Sequence, residues 1–321
     1  MNNVMTKSIV CASLMMFSQI IFAGEQVDKK MEAGKGDVIE IEHLNGFAKI
    51  EGWDKNLVHI TGELDDEAEG LTFERTSNGI EIEVEMPRRF RTPWGHEKPK
   101  GDNLVIKVPR NSRVNYTSMN ASVEVGNIDM SVSVDTVNGS VAANELQGKI
   151  NIETVNGHIK TRKLNGAIRV GSVNGNFDDK KSVAEKLVFE TVNGDIKSDI
   201  KSLDTRIETV NGKVELSLGD IKRLEVSTVN GEIDAQFTLL ENAEVEASSV
   251  GGKITLTMQK EVPAYFEVNT YAGGKIINDI TNDKPVKSRF GPGRSLEFST
   301  PDASAKVEVE SVNGKIHLTT H

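Results

Sequence analysis

Thr136-Val137-Asn138-Gly139 returns as Thr154-Val155-Asn156-Gly157, Ser172-Val173-Asn174-Gly175, Thr191-Val192-Asn193-Gly194, Thr209-Val210-Asn211-Gly212 and Thr228-Val229-Asn230-Gly231. The glycines step by 18, 18, 19, 18 and 19 residues, and looser copies follow at Ser249-Val250-Gly251-Gly252 and Ser311-Val312-Asn313-Gly314. Self-similarity at a near-fixed step is the mark of a repeat architecture. Around each phrase β-branched residues recur in columns, Ile152, Thr154 and Ile159 returning as Ile207, Thr209 and Val214 and as Val226, Thr228 and Ile233. Such columns form strands. Leu146-Gln147-Gly148 and Leu164-Asn165-Gly166 make a weaker half-repeat between phrases, so each period holds about two strands and two turns. Asn-Gly suits the turns because both residues tolerate positive φ.

Two all-β architectures use this pattern. In an antiparallel sheet or sandwich, each Asn-Gly closes a two-residue hairpin. In a single-chain parallel β-solenoid with coils of about 18–19 residues, each phrase lies over the last at the strand spacing of about 4.8 Å. The solenoid accounts for more, because Thr, Val and Asn recur together only at the full period. It predicts Val in the core, with Val192, Val210 and Val229 as one inward column, and Asn in a hydrogen-bonded ladder.

Outward from the repeats the pattern loosens. Residues 24–117 form degenerate strands interrupted by a Pro-rich basic loop over 86–103, the regular solenoid runs over 118–260, and C-terminal coils over 261–321 carry an insertion over 281–295. The insertion holds Lys284, Lys287, Arg289 and Arg294 beside Pro285 and Pro292. Atypical end units are the usual caps of an open repeat core. Leu44-Asn45-Gly46-Phe47-Ala48-Lys49-Ile50-Glu51-Gly52-Trp53-Asp54, Leu57-Val58-His59-Ile60 and Leu104-Val105-Ile106-Lys107-Val108-Pro109, followed by the Val-Asn-Gly repeats, resemble the bacterial putative-adhesin family of β-strand-repeat domains of unknown function. That resemblance covers most of the chain after its leader. It implies an envelope-associated β-solenoid and carries over no functional residue.

Residues 1–23 read as a signal peptide: Lys7 is their only charge, an apolar stretch runs from Ser8 to Phe22, and Ala23-Gly24 precedes Glu25. The stretch is short for a membrane span, which needs roughly twenty residues. A soluble, exported chain in the periplasm or at the cell surface is expected, with no transmembrane segment after cleavage. Cys11 is the only cysteine and falls within the leader, so neither disulfides nor thiolate sites support the fold. The formal charge of −10 argues against nucleic acid as a partner.

A search for chemistry finds little. His43, His59, His96, His158, His317 and His321 are scattered without ligand spacing, no Gly-x-Ser-x-Gly elbow occurs, and Asp178-Asp179 reads as a solvated pair at a coil edge rather than a calcium site. No cofactor, metal or catalytic residue is expected. A polysaccharide-degrading β-helix would need clustered carboxylates and aromatic platforms, whereas Glu153, Glu190 and Glu208 recur singly beside the repeated Thr. The candidate contact for an anionic partner is Arg88, Arg89, Arg91 and Trp94, where a ring lies among guanidinium groups; the bland alternative is a solvated loop. The reading is therefore a non-catalytic, exported envelope protein, an adhesin-like structural or interaction module that binds an envelope polysaccharide or envelope protein. A carbohydrate-active β-helix enzyme and an envelope-stress or signalling accessory stand as alternatives.

Overall fold

The computed structural model describes residues 24–87 and 101–321, and within them 23 strands join in one continuous hydrogen-bonded sheet. Among the described residues no helix is long and apolar enough to cross a membrane. The repeats stack in parallel: strand Gln147–Asn156 pairs with Asn165–Asn174 so that Ile150 meets Ile168, Ile152 meets Val170 and Asn156 meets Asn174. A second face is built from the other half of each period, where Ile159 stands between Val141 and Phe177. The chain is thus a parallel β-solenoid.

Each coil turns twice. One corner is the Asn-Gly phrase; the other places Asn127, Glu145, Lys163 and Lys181 in the left-handed region at φ 61°, 56°, 54° and 62°. Where a period lengthens from 18 to 19 residues the extra residue is absorbed away from the phrase: Glu185 is skipped between the pairs Gly166–Ala184 and Ala167–Lys186. A bulge leaves the rest of the register intact, so the asparagines stay aligned. Their side chains form the expected ladder, each amide donating to the preceding carbonyl oxygen from Asn230 back to Asn45 at 2.8–3.0 Å.

Four of the repeat glycines are needed for a different reason than positive φ. Gly139, Gly157, Gly175 and Gly231 are not in the left-handed region. They let coils approach: a Cβ on Gly157 would sit 2.0 Å from the Gly139 carbonyl oxygen, and one on Gly175 1.8 Å from that of Gly157.

The expected valine column is corrected by the structure. Along the strand Ile150, Ile152 and Thr154 are buried, and Val155 faces outward. Side chains alternate strictly along a strand, so only one of Thr154 and Val155 can enter the core. The alternation that buries Ile150 and Ile152 assigns that place to Thr154, whose hydroxyl donates to the Gly139 carbonyl at the corner (3.3 Å). Asp179 is a second correction. Far from being solvated, it is 2% exposed and accepts from the hydroxyls of Thr161 (2.5 Å) and Ser182 (2.6 Å).

Burial, above all, pushes the Asp179 carboxyl above its ordinary value of 3.8, against the lowering effect of its two hydroxyl partners. A carboxyl whose folded pKa is raised contributes stability in its protonated form, fully present below the unfolded pKa and lost as pH rises through the folded one. The stability of the wild type relative to Asp179→Asn should therefore be greatest in acid and fall as pH rises above about 4; parallel denaturant titrations across that range check the sign.

The ends interlock. Strand Val38–Trp53 does not sit at the extremity but between Gly79–Glu85 with Asp102–Pro109 on one side and Arg113–Gly126 on the other. The last coil, Ala305–Ser311 and Lys315–Thr320, likewise inserts between Ile233–Ser249 with Lys253–Met258 and Ala264–Thr270 with Lys275–Asn278. Antiparallel strands then cover the open core at each end. The C-terminal strand Lys315–Thr320 is held by parallel pairing on two sides, and the N-terminal strand Gln26–Glu32 by antiparallel pairing with Leu57–Glu63.

Candidate functional site

The outward turn of each repeated valine creates a continuous apolar rail. From Val137 through Val155, Val173, Val192, Val210, Val229 and Val250 to Val312, every member is 37–49% exposed. Backbone bonds keep them in line across the irregular C-terminal coils: Asn230 N–H donates to Val210, Gly251 to Val229 and Asn313 to Val250. Met119 and Tyr271, 50% and 54% exposed, extend the row at its two ends. At about 4.8 Å per coil the rail runs some 40 Å or more. Single exposed apolar residues are ordinary, but a contiguous row of them marks an interaction surface.

One flank of the rail is the Asn ladder. The other is a row of carboxylates, Asp135, Glu153, Glu190 and Glu208, that projects from the same strands two residues earlier. Rail and carboxylate row bound a groove of about 760 Å³ whose floor is the buried Thr column and whose lining contains no aromatic side chain. The acidity is unevenly compensated. Arg169 holds Glu190 at 2.8 Å, and Arg206 bridges Glu208 and Glu225. Toward the other end Asp135 stacks beside Glu153 in the next coil, and its carboxyl is pushed up, first by burial and then by the Glu153 charge.

A second cluster lies below the N-terminal end of the rail. His43 occupies the inward corner position, opposite Ser118. Its Nε2 faces Asp102 Oδ2 at 3.1 Å and its Nδ1 faces the Tyr116 hydroxyl at 3.1 Å, with all three side chains buried. The Asp102 carboxylate can only accept, so the ring donates to it from Nε2. Burial raises the Tyr116 phenol well above its ordinary range. Asp102 also accepts from the Asp65 backbone N–H (2.7 Å), and Asp65 from that of Gly101 (2.6 Å). These bonds fasten four chain segments that meet only in the interlocked N-terminal coil. No signal of spacing or period could have joined residues 43, 65, 102 and 116.

The remaining described histidines stand apart: His59 with Asp28, His317 with Asp279, His158 accepting from the Asn176 N–H, and His321 exposed at the last residue. Among the described residues no group of three or more His, Cys, Asp or Glu is arranged to hold a metal ion. Arg88, Arg89, Arg91 and Trp94, singled out from the sequence, lie outside the described residues.

The Toastrack DUF4097 family matches residues 39–319 of the chain. No curated protein matches it significantly. Similar solved structures include a putative adhesin from Parabacteroides distasonis, 10% identical with a TM-score of 0.41 and covering 93% of this chain and 98% of its own. Another is a putative adhesin from Bacteroides fragilis, 11% identical, TM-score 0.37, with coverage of 92% and 97%. A third is a putative cell adhesion protein from Clostridium sporogenes, 12% identical, TM-score 0.24, with coverage of 92% and 100%.

Proposed function

The chain belongs to the Toastrack DUF4097 family, and from that premise we propose that it is an exported, non-catalytic interaction module of the cell envelope, adhesin-like in working by contact. The observation that carries this reading is the valine rail, an unbroken apolar row left in solvent by a solenoid that buries almost every other large aliphatic side chain of its coils. The leader-like sequence of residues 1–23 supports export. The groove supports binding over sugar cleavage, because its carboxylates are spread one per coil and no aromatic platform lines it.

Val155, Val173, Val192 and Val210 changed together to threonine keep the β-branched shape while making the rail polar. Retention of this tagged variant in the envelope fraction should fall several-fold, with the melting temperature little changed. Replacing Arg88, Arg89 and Arg91 by alanine in a parallel strain tests the basic loop as the contact for an anionic partner. Full retention of the threonine variant, with loss only in the alanine variant, would transfer the function from the rail to the loop.

A further inference from the structure

The second basic insertion gathers its cations in one short segment. On the solenoid faces cations alternate with carboxylates, and several pair with those of the same or neighbouring coils: Lys163 with Glu145, Arg169 with Glu190, Lys197 with Glu215, Arg223 with Glu244. Among the described residues none of Lys284, Lys287, Arg289 and Arg294 has a carboxylate within 4 Å. Four cations less Asp283 give residues 281–295 a charge of +3, on a chain whose total is −10.

The same segment carries the most exposed large apolar side chains of the described protein. Phe290 is 84% exposed and Val286 66%. They stand on the edge hairpin in which Val286–Lys287 pairs with Ser295 and Arg294, beyond the last coil. Nothing lies within 4 Å of a Cβ built on Gly291, so the tip stands clear of the solenoid. The Arg289 guanidinium lies 5.6 Å from the Phe290 ring, and the backbone is fastened by the Ser288 hydroxyl donating to the Phe290 carbonyl and Ser288 N–H donating to Gly293.

We propose that this tip docks on an anionic lipid bilayer, Phe290 and Val286 entering the interfacial region while Lys284, Lys287, Arg289 and Arg294 meet the headgroup phosphates. A soluble anion would engage the cations and leave the ring in water. A bilayer uses both features at once, since juxtamembrane cations are drawn to an anionic surface and aromatic side chains sit well at its interface. The acidic solenoid would be repelled from the same surface, which leaves the end of the rod as the part that can approach.

The test is co-sedimentation of the purified protein with phosphatidylcholine vesicles containing phosphatidylglycerol, beside vesicles of phosphatidylcholine alone. Binding to the anionic vesicles alone is expected, weakening as added salt shortens the screening length below about 8 Å. Phe290→Ser should weaken it about tenfold, and Lys284→Gln with Lys287→Gln and Arg289→Gln about a hundredfold, at about fivefold per cation. Lys197→Gln with Lys213→Gln, on the coils, should change nothing. Equal partition to both vesicle types, equal binding by the tip and coil variants, or capture of polyglutamate through the tip cations without vesicle binding would each overturn the proposal. Circular dichroism melts of every variant keep misfolding from imitating a positive result.

Discussion

Gly175→Ala should destabilise the protein by about 3 kcal/mol or more, whereas Gly251→Ala should be close to neutral. The contrast follows from backbone contact. A Cβ on Gly175 would stand 1.8 Å from the Gly157 carbonyl oxygen and 2.7 Å from its carbon, and neither can move without parting two coils. Parting them lengthens the ladder bond from Asn174 to Asn156, now 2.9 Å, and the parallel bonds beside it. At Gly251 nothing lies within 4 Å of the added atom, so alanine costs little and lowers the freedom of the unfolded chain. Denaturant melts of the two variants beside the wild type measure the difference; equal midpoints would show that the coils are not packed this closely.

Ile207→Asp should be far more damaging than Val210→Asp, although both replace a β-branched apolar residue three positions apart in one strand. Ile207 is 0% exposed and stands in the core column with Phe189 and Val226, while Val210 is 37% exposed. Burying an unpaired carboxylate at position 207 costs several kcal/mol. At position 210 the charge stays in water, and about 1 kcal/mol is the expected scale, from lost β-propensity and the nearby acidic row. The expected result is a folded Val210→Asp protein with impaired envelope retention and an Ile207→Asp protein that does not accumulate. A well-folded Ile207→Asp variant would contradict the register.

The parallel stack and the Asn ladder were legible in the sequence because both depend on identity recurring at a fixed step, and a solenoid turns that recurrence into contact. The direction of the valines was written there as well. Ile152, Thr154 and Ile159 already mark the inward column, and alternation from Thr154 sends Val155 outward. Hydrophobicity argued the other way, and the strict alternation of the strand overrode it. Asp179 differs from its expected place for a related reason: a polar pair looks solvated until Thr161 and Ser182 are seen to donate to one of its members inside. The interlocked ends and the His43–Asp102–Tyr116 cluster had no periodic signature, since they arise where order in space departs from order in the chain.

The central claim is that the valine rail is open to solvent in the isolated protein and covered by a partner in the envelope. Cys11 is the only natural cysteine, so Val192→Cys and, on the opposite face, Lys197→Cys can each be followed by maleimide labelling. Both positions are exposed. In purified protein the two thiols should label at similar rates. In intact envelopes Val192→Cys should become several-fold slower while Lys197→Cys does not; equal labelling of the two in the envelope would contradict the account.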